Sequence, residues 1–598
     1  MSAPLAEISR HVWETKYRDA GEHSLDDTWR RIARALASVE GADRAGWEAR
    51  FLALLADFRF LPGGRIQAGA GSGRQVTLFN CFVMGTIEDS IPGIFRALQE
   101  GAVTMQQGGG IGCDFSTLRP RGTRARRAGT IASGPVSFMR VWDAMCGTIL
   151  STGARRGAMM ATLRCDHPDI EDFVAAKHQP GELRRFNLSV LAGDDFMAAA
   201  RTDADWPLVF PAAAVDGEGA IVEREWPGAA APVPCRVLRT VPARALLDRI
   251  LRAAYDHAEP GVLFVDRINR LNNLGYRERI SATNPCGEIP LPPYGACNLG
   301  SLNLARFVAA PFTDGARLDT DALAAAARVA VRLLDNVVDL SGFPLPQQAE
   351  SARGARRIGL GITGLADALV MLGLPYDGER GRVAAAEAMR EICHAAYRAS
   401  AALAAEKGSF PFLVREKYLE APFVQALPAD IRDAIAADGV RNSHLTAIAP
   451  TGTISLLAGN VSSGLEPVFS AAHARRVLDR DGRPREFHLT DHALALWRDR
   501  GGRGLPPGFV TAAELPARAH LAMQAALQPF VDNAISKTIN VPADCPFAEF
   551  REIYDLAYDQ GLKGVTTFRP NPVTGAVLSP EADGAEAPHC CVLEREPD

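Results

Sequence analysis

The 598-residue chain has no apolar run of the roughly 18 or more residues that a membrane-spanning helix needs. Its opening stretch, MSAPLAEISRHVWETKYRDA, lacks an apolar core of signal-peptide length. These two absences predict a cytoplasmic protein with no membrane partner. No two of the eleven cysteines are spaced C-x-x-C, which argues against a zinc ribbon and predicts no metal site. So few cysteines in so long a chain also exclude a secreted disulfide scaffold, and in a reducing compartment any disulfide is expected to be catalytic rather than structural. Charge of one sign is missing too. The formal net charge of −5 leaves no basic footprint for a nucleic-acid polymer, so phosphate recognition should be local and directed at small ligands. The nine tyrosines include no adjacent pair, and no repeat of solenoid period occurs.

What is present reads as an ordinary globular α/β chain, 47% hydrophobic. Residues 1–60 are expected to be helical, because SLDDTWRRIARALASV and GWEARFLALLADF carry apolar residues at helical spacing. From 61 to 570, short apolar runs alternate with glycine-rich turns and longer helical patterns such as RALLDRILRAAYDHA. Within that stretch, residues 211–235 are rich in Ala, Pro and Gly and read as a surface excursion. Residues 571–598 read as a mobile tail carrying the adjacent Cys590 and Cys591.

One stretch concentrates chemistry: SATNPCGEIPLPPYGACNLGSLNL, residues 281–304. If 283–289 is extended, Asn284, Cys286 and Glu288 share one face, since a strand alternates its side chains. A carboxylate can take a hydroxyl proton, an amide can hold the oxygen, and a sulfur can exchange an electron or a hydrogen atom. The rival readings are a buried structural cysteine beside a turn and a zinc ligand, which would want a second close Cys or His pair.

Two further stretches invite a nucleotide reading. APTGTISLLAG places Pro450, Thr451, Gly452, Thr453, Ile454 and Ser455 at the start of an apolar helix, where free amides and hydroxyls can bind phosphate; without a lysine it is not a Walker loop. RRIGLGITG contains a formal G-x-G-x-x-G at Gly359, Gly361 and Gly364, as a nicotinamide dehydrogenase would. No apolar strand precedes it, so these glycines are expected to pack a turn against a helix.

The segment NPCGEIPLPPYGACNLGSLNL resembles the finger loop of ribonucleotide reductase large chains, most nearly the adenosylcobalamin-dependent ones. The resemblance extends through FNCFVMGTIEDS (79–90), GGGIGCDFSTLRPRG (108–122), GARRGAMMATLRCDHPDIEDF (153–173), EPGVLFVDRINRLNN (259–273), RRIGLGITGLADAL (356–369), APTGTISLLAGNVSSGLEPVFS (449–470) and GLKGVTTFRP (561–570). It implies a ten-stranded α/β barrel of two five-stranded halves around a central finger loop, with the helical start as a separate small region. It implies a thiyl radical at Cys286, proton transfer by Glu288, substrate hydroxyls held by Asn284, and a redox pair of Cys81 and Cys297. Asn80 and Gly110 match further substrate positions, the 450–455 loop matches the diphosphate site, and Asp89, Ser90, Arg119 and Arg126 match the site of a nucleotide effector. The TGARRGAMMATL stretch (152–163) resembles the loop that links effector to substrate base.

The resemblance also bears on how the radical starts. Chains that import it from a second subunit carry adjacent tyrosines where this one reads GVTTFRP, with Phe568 unable to relay. No C-terminal glycyl-radical motif occurs either, which leaves adenosylcobalamin as the expected cofactor, although no D-x-H-x-x-G cobalamin motif is present. The family's tail cysteines are spaced apart, whereas Cys590 and Cys591 are neighbours and would close a strained ring. The start is too short for the family's ATP-binding activity domain, so specificity control without a general shut-off is expected. The implied partners are a ribonucleoside diphosphate, dNTP or ATP effectors, a thioredoxin- or glutaredoxin-like reductant and a second copy of the chain. The alternatives are the large subunit of a two-subunit reductase and a non-catalytic nucleotide-binding homologue.

Overall fold

The computed structural model describes residues 5–124, 131–151, 155–179, 181–478, 483–570 and 578–580. Arg126, Cys590, Cys591 and the 152–154 part of the effector-linked loop lie outside the described residues.

Five strands, β1 (Cys81–Val83), β2 (Gly110–Asp114), β3 (Met159–Arg164), β4 (Phe186–Ala192) and β5 (Gly261–Phe264), pair in parallel, each with the next. A second parallel set contains β6 (Ala296–Asn303), β7 (Ile358–Thr363), β8 (Thr538–Asn540) and β9 (Gly564–Phe568). The extended segment 446–448 completes it. Thr446 bridges Leu360 of β7, and Ile448 bridges Ile535 on the run into β8. The halves meet at two antiparallel seams, β6 on β1 and β5 on β9, which closes the ring. Sequences such as FNLSVLA and IGLGIT are apolar nearly throughout because strands covered on both faces have no solvent side.

Glycines let the strands crowd. A Cβ on Gly361 would collide with the Ala447 carbonyl, so β7 can lie against segment 446–448 only without a side chain there. This corrects the reading of the G-x-G-x-x-G as a turn packed on a helix. Gly359 and Gly361 lie inside β7, and only Gly364, at φ +69°, turns the chain into the helix Leu365–Met371.

Before the barrel come the helices Glu7–Val12, Leu25–Ala37 and Arg44–Leu55. Ser24 and Asp27 cap the second reciprocally, and its Trp29, Ile32 and Leu36 are buried. The strand Phe60–Pro62 then runs antiparallel to β6. Arg332, on the long helix Thr320–Leu340, grips Glu40 at 2.6 and 2.7 Å and ties the helical start to the barrel.

The Ala/Pro/Gly-rich stretch is more ordered than its composition suggests. Residues 205–242 form an antiparallel three-stranded sheet, Asp205–Pro211, Ile221–Arg224 and Val233–Pro242, with its own core of Val209, Phe210, Val215, Trp226 and Cys235. The excursion is a folded sheet with Val233–Pro242 as its central strand, held by apolar residues spread through the flexible-looking segment. No described helix is long and apolar enough to cross a membrane.

Candidate active site

The stretch singled out in the sequence forms a hairpin in the barrel. Ala282–Thr283 pairs with Pro290–Leu291, leaving 284–289 as the connecting loop. The loop is a turn rather than an extended run, which corrects the expectation of a strand face. Gly287 sits at φ +86°, and the Asn284 Oδ1 accepts from Ile289 N at 2.9 Å while Gly287 N donates to Asn284 O at 3.1 Å. Pro285 and Gly287 favour turning over extension, and the Asn284 side chain satisfies an amide that a strand partner would otherwise take.

The hairpin is held from both half-barrels. On one side Thr162 Oγ1 donates to Ser281 O at 2.9 Å and Asn187 Nδ2 donates to Pro285 O at 2.7 Å. A Cβ on Gly110 would lie 3.1 Å from Pro285 Cγ, so the bare strand β2 admits the loop. On the other side Ala534 N donates to Glu288 O at 2.9 Å.

The turn still brings the functional groups together. Asn284 Nδ2 lies 3.3 Å from Cys81 Sγ, and Cys81 Sγ lies 3.9 Å from Glu288 Oε1. Cys81 and Cys297 are directly opposite across the β1–β6 seam. Antiparallel partners have Cα atoms about 4.5–5.5 Å apart, inside the span a disulfide accepts. Cys286, half-buried at the hairpin tip, faces a cleft enclosing about 2200 Å³ of empty space including its open mouth. Asn187, Glu466, Lys537 and Phe568 also line that cleft, and no tyrosine is among its described lining residues.

Burial sets the charges. Glu288 is 2% exposed and its Oε2 has no hydrogen-bond partner among the described residues, so desolvation pushes its carboxyl up to about 7 despite the opposing bonds from Asn284 and Cys81. Burial likewise pushes the Cys297 thiol far above its ordinary range.

Asn80 and Gly110 are joined, since Gly110 N donates to Asn80 O at 2.8 Å. In the 450–455 loop, Pro450 and Gly452 line the cleft, whereas the Thr451 and Ser455 hydroxyls are spent inside the protein. Thr451 Oγ1 accepts from Gly464 N at 2.7 Å, and Ser455 Oγ donates to Gly452 O at 2.9 Å. Thr453 and Ile454 are buried. Asp89, Ser90 and Arg119 cluster apart from the residues lining the cleft: Arg119 Nε binds Asp89 Oδ2 at 2.7 Å, and Ser90 caps the helix Ile91–Gln106 by accepting from Gly93 N.

Several residues around the site carry no signal in the sequence. Asn187 is visible there only as a polar residue in an apolar strand. Lys563, 3% exposed, donates to Asp532 O at 2.6 Å and to Asn533 O, and burial lowers its ammonium to about 8. Lys537 pairs with Glu466 on the cleft wall. No local motif announces these pairings.

Residues 79–568 match the ribonucleotide reductase barrel domain, and residues 4–75 match the ribonucleotide reductase all-alpha domain. The chain belongs to the ribonucleotide reductase family. It is 41% identical over 578 residues to the vitamin B12-dependent ribonucleoside-diphosphate reductase of Mycobacterium tuberculosis (strain CDC 1551 / Oshkosh), covering 93% of this chain and 77% of that relative. It is 34% identical over 562 residues to the vitamin B12-dependent ribonucleoside-diphosphate reductase of Thermoplasma acidophilum, covering 90% of this chain and 67% of that protein.

Proposed function

We propose that this chain reduces ribonucleoside diphosphates to 2′-deoxyribonucleoside diphosphates with adenosylcobalamin as radical source. The observation that carries the reading is the convergence of Asn284, Glu288 and Cys81 at the base of a hairpin whose tip presents Cys286 to a wide cleft.

The cleft is open-mouthed, and its wall combines apolar Val468, Phe469 and Phe568 with the Glu466–Lys537 pair, which are the groups that would hold the cofactor. When bound, adenosylcobalamin supplies an organic radical by homolysis of its cobalt–carbon bond. The remaining work falls to the protein. As a thiyl radical, Cys286 takes the hydrogen from C3′ of the ribose. Glu288 accepts the 3′-hydroxyl proton, and Asn284 holds the substrate hydroxyls. The C2′–O bond breaks and the oxygen leaves as water. Cys81 and Cys297 supply two electrons and two hydrogens as their S–S bond forms. Cys286 then returns its hydrogen to C3′ and is left as the thiyl radical once more. Net, one dithiol is oxidised for each hydroxyl replaced by hydrogen.

The 450–455 loop is assigned to the substrate diphosphate through its backbone amides, because the first amides of a helix lack intrahelical acceptors and two of the loop's hydroxyls are already engaged. Asn80 and Gly110 complete the substrate floor. The reductant is a thioredoxin- or glutaredoxin-like dithiol acting through Cys590 and Cys591. A homodimer is supported by Ile91 and Phe95, one helical turn apart and 60% and 49% exposed on the helix that Ser90 caps.

The decisive test supplies the purified chain with adenosylcobalamin, a small dithiol and GDP. Deoxy-GDP without any second protein is the expected result, and a strict requirement for another subunit overturns the reading. Effector control is assigned to Asp89, Ser90, Arg119 and Arg126. Arg119→Ala, which breaks the pair with Asp89, is expected to remove effector-dependent choice between CDP and GDP while keeping basal turnover, as read in a two-substrate competition assay.

A further inference from the structure

The hairpin tip is the least enclosed part of the site. A Cβ built on Gly287 meets nothing within 4 Å, so the turn beside Cys286 projects into open space. A radical hydrogen transfer tolerates little slack, because a misplacement of about 1 Å can cost on the order of 100-fold in rate. The base of the hairpin is secured by its own strand pairs and by Ala534 on Glu288. The turn at the tip is closed by Gly287 N on Asn284 O, and the tip also has a contact with the barrel wall.

Asn187 makes that contact. It lies on β4 between the buried Phe186 and Leu188, with its backbone paired to Met160 of β3 on one side and the pairing to β5 beginning two residues on, at Ser189. Its Nδ2 reaches out of the barrel wall to Pro285 O at 2.7 Å, and its side chain lines the cleft beside Cys286. The Pro285 carbonyl belongs to the peptide plane whose nitrogen is that of Cys286. Because the peptide is planar, holding the carbonyl fixes the direction in which the Cys286 N–Cα bond leaves. Proline adds a locked φ just upstream, so one hydrogen bond removes much of the freedom left to the tip.

We propose that Asn187 is a positioning residue for the reaction: through the Pro285 carbonyl it aims the Cys286 sulfur at the substrate hydrogen. This rests on the reading of Cys286 as the hydrogen-abstracting thiyl. It assigns Asn187 no bond to make or break, and its loss should slow hydrogen transfer without weakening substrate binding.

The test compares full-length wild type with Asn187→Ala and the near-isosteric Asn187→Asp, which keeps the shape but loses the donor when ionised. Each is assayed with adenosylcobalamin, dithiol and GDP carrying hydrogen or deuterium at C3′. The expected result for both variants is a fall of about 10- to 100-fold in kcat with little change in KM, a thermal midpoint near wild type, and a larger deuterium effect on kcat as abstraction becomes rate-limiting. A loss caused by fewer folded molecules would lower kcat and leave the isotope effect unchanged, and that outcome overturns the proposal. So does wild-type turnover in Asn187→Asp. If Asn187→Ala fails to fold, the aspartate variant decides by the same readouts. Wild-type turnover with no C3′ isotope effect in any variant defeats the positioning role while leaving the reductase reading standing, whereas absence of wild-type turnover defeats both.

Discussion

Cys286→Ser is expected to bring deoxynucleotide formation to background while thermal stability and nucleotide binding stay near wild type. Two accounts of one sulfur make opposite demands. A structural cysteine contributes packing, so its loss should register in stability and leave chemistry intact. Cys286 sits half-buried on an open turn, where exchanging sulfur for oxygen removes little buried apolar surface. A radical cysteine contributes a weak S–H bond that can be broken and remade against a ribose C–H. The serine O–H is too strong to be opened by the same carbon radical, so no amount of correct positioning rescues the variant. Product formation from GDP and the thermal midpoint, measured on one preparation, separate the two accounts. Serine that turns over, or serine that unfolds the chain while sparing specific activity, would show that the sulfur is structural. Cys297→Ser offers a contrast: this thiol is fully buried, with Cys81 opposite it, so its replacement should leave hydrogen abstraction by Cys286 possible but stop reduction in the first turnover, because no dithiol remains to be oxidised.

The parts of the structure legible in the sequence are those written in local pattern. β4 and β5 read as apolar runs, and the capped helix Leu25–Ala37 shows its Ser24 start and its buried stripe. The five residues Asn284, Cys286, Glu288, Cys81 and Cys297 stand out through residue chemistry and a family resemblance. Three things are not legible. The geometry of 284–289 escapes because a period of two describes strands only, and Pro285 with Gly287 turns the chain before the period can apply. The three-stranded sheet of 205–242 is hidden because stretches of turn-forming composition separate its strands. The polar pairs that shape the site, Asn187 on Pro285 and Lys563 on Asp532 among them, join residues far apart in sequence. Such pairs carry no periodicity, and only closure of the ring brings them together. In the 450–455 loop, engagement of the Thr451 and Ser455 hydroxyls is in large part a tertiary fact: beside the local bond of Ser455 to Gly452 O, their partners are Gly464, Thr363 and Ser463 from outside the loop.

Glu288→Gln should make the protein less active and, above neutral pH, more stable. The Glu288 carboxyl is pushed from 4.5 up to about 7 in the folded chain because it is buried, with no described partner for Oε2. A raised carboxyl holds its proton more tightly folded than unfolded. Between those two values the folded state therefore binds more protons, and stability falls as pH rises. Below 4.5 both states are protonated and the penalty is absent; above about 7 both are ionised and it is fully present. At about 1.4 kcal/mol for each tenfold change in proton affinity, roughly 3 kcal/mol of stability is given up to keep a base poised at neutral pH. Glutamine cannot ionise, so its stability advantage over wild type should grow from pH 4.5 to about 8, less any cost of the buried amide, which is roughly constant with pH. Denaturant midpoints of the two proteins across that range test this through the slope of their difference; parallel curves would mean that Glu288 ionises freely and that its burial has no energetic consequence. Activity should move the other way. The wild type needs the ionised form to take the 3′-hydroxyl proton, so its turnover should climb as pH rises through about 7. The glutamine variant, deprived of the base, should lose about 100- to 10,000-fold and show no such climb. A variant that gains stability at high pH and loses the pH-dependent rise in turnover would tie both effects to one proton on one buried oxygen pair.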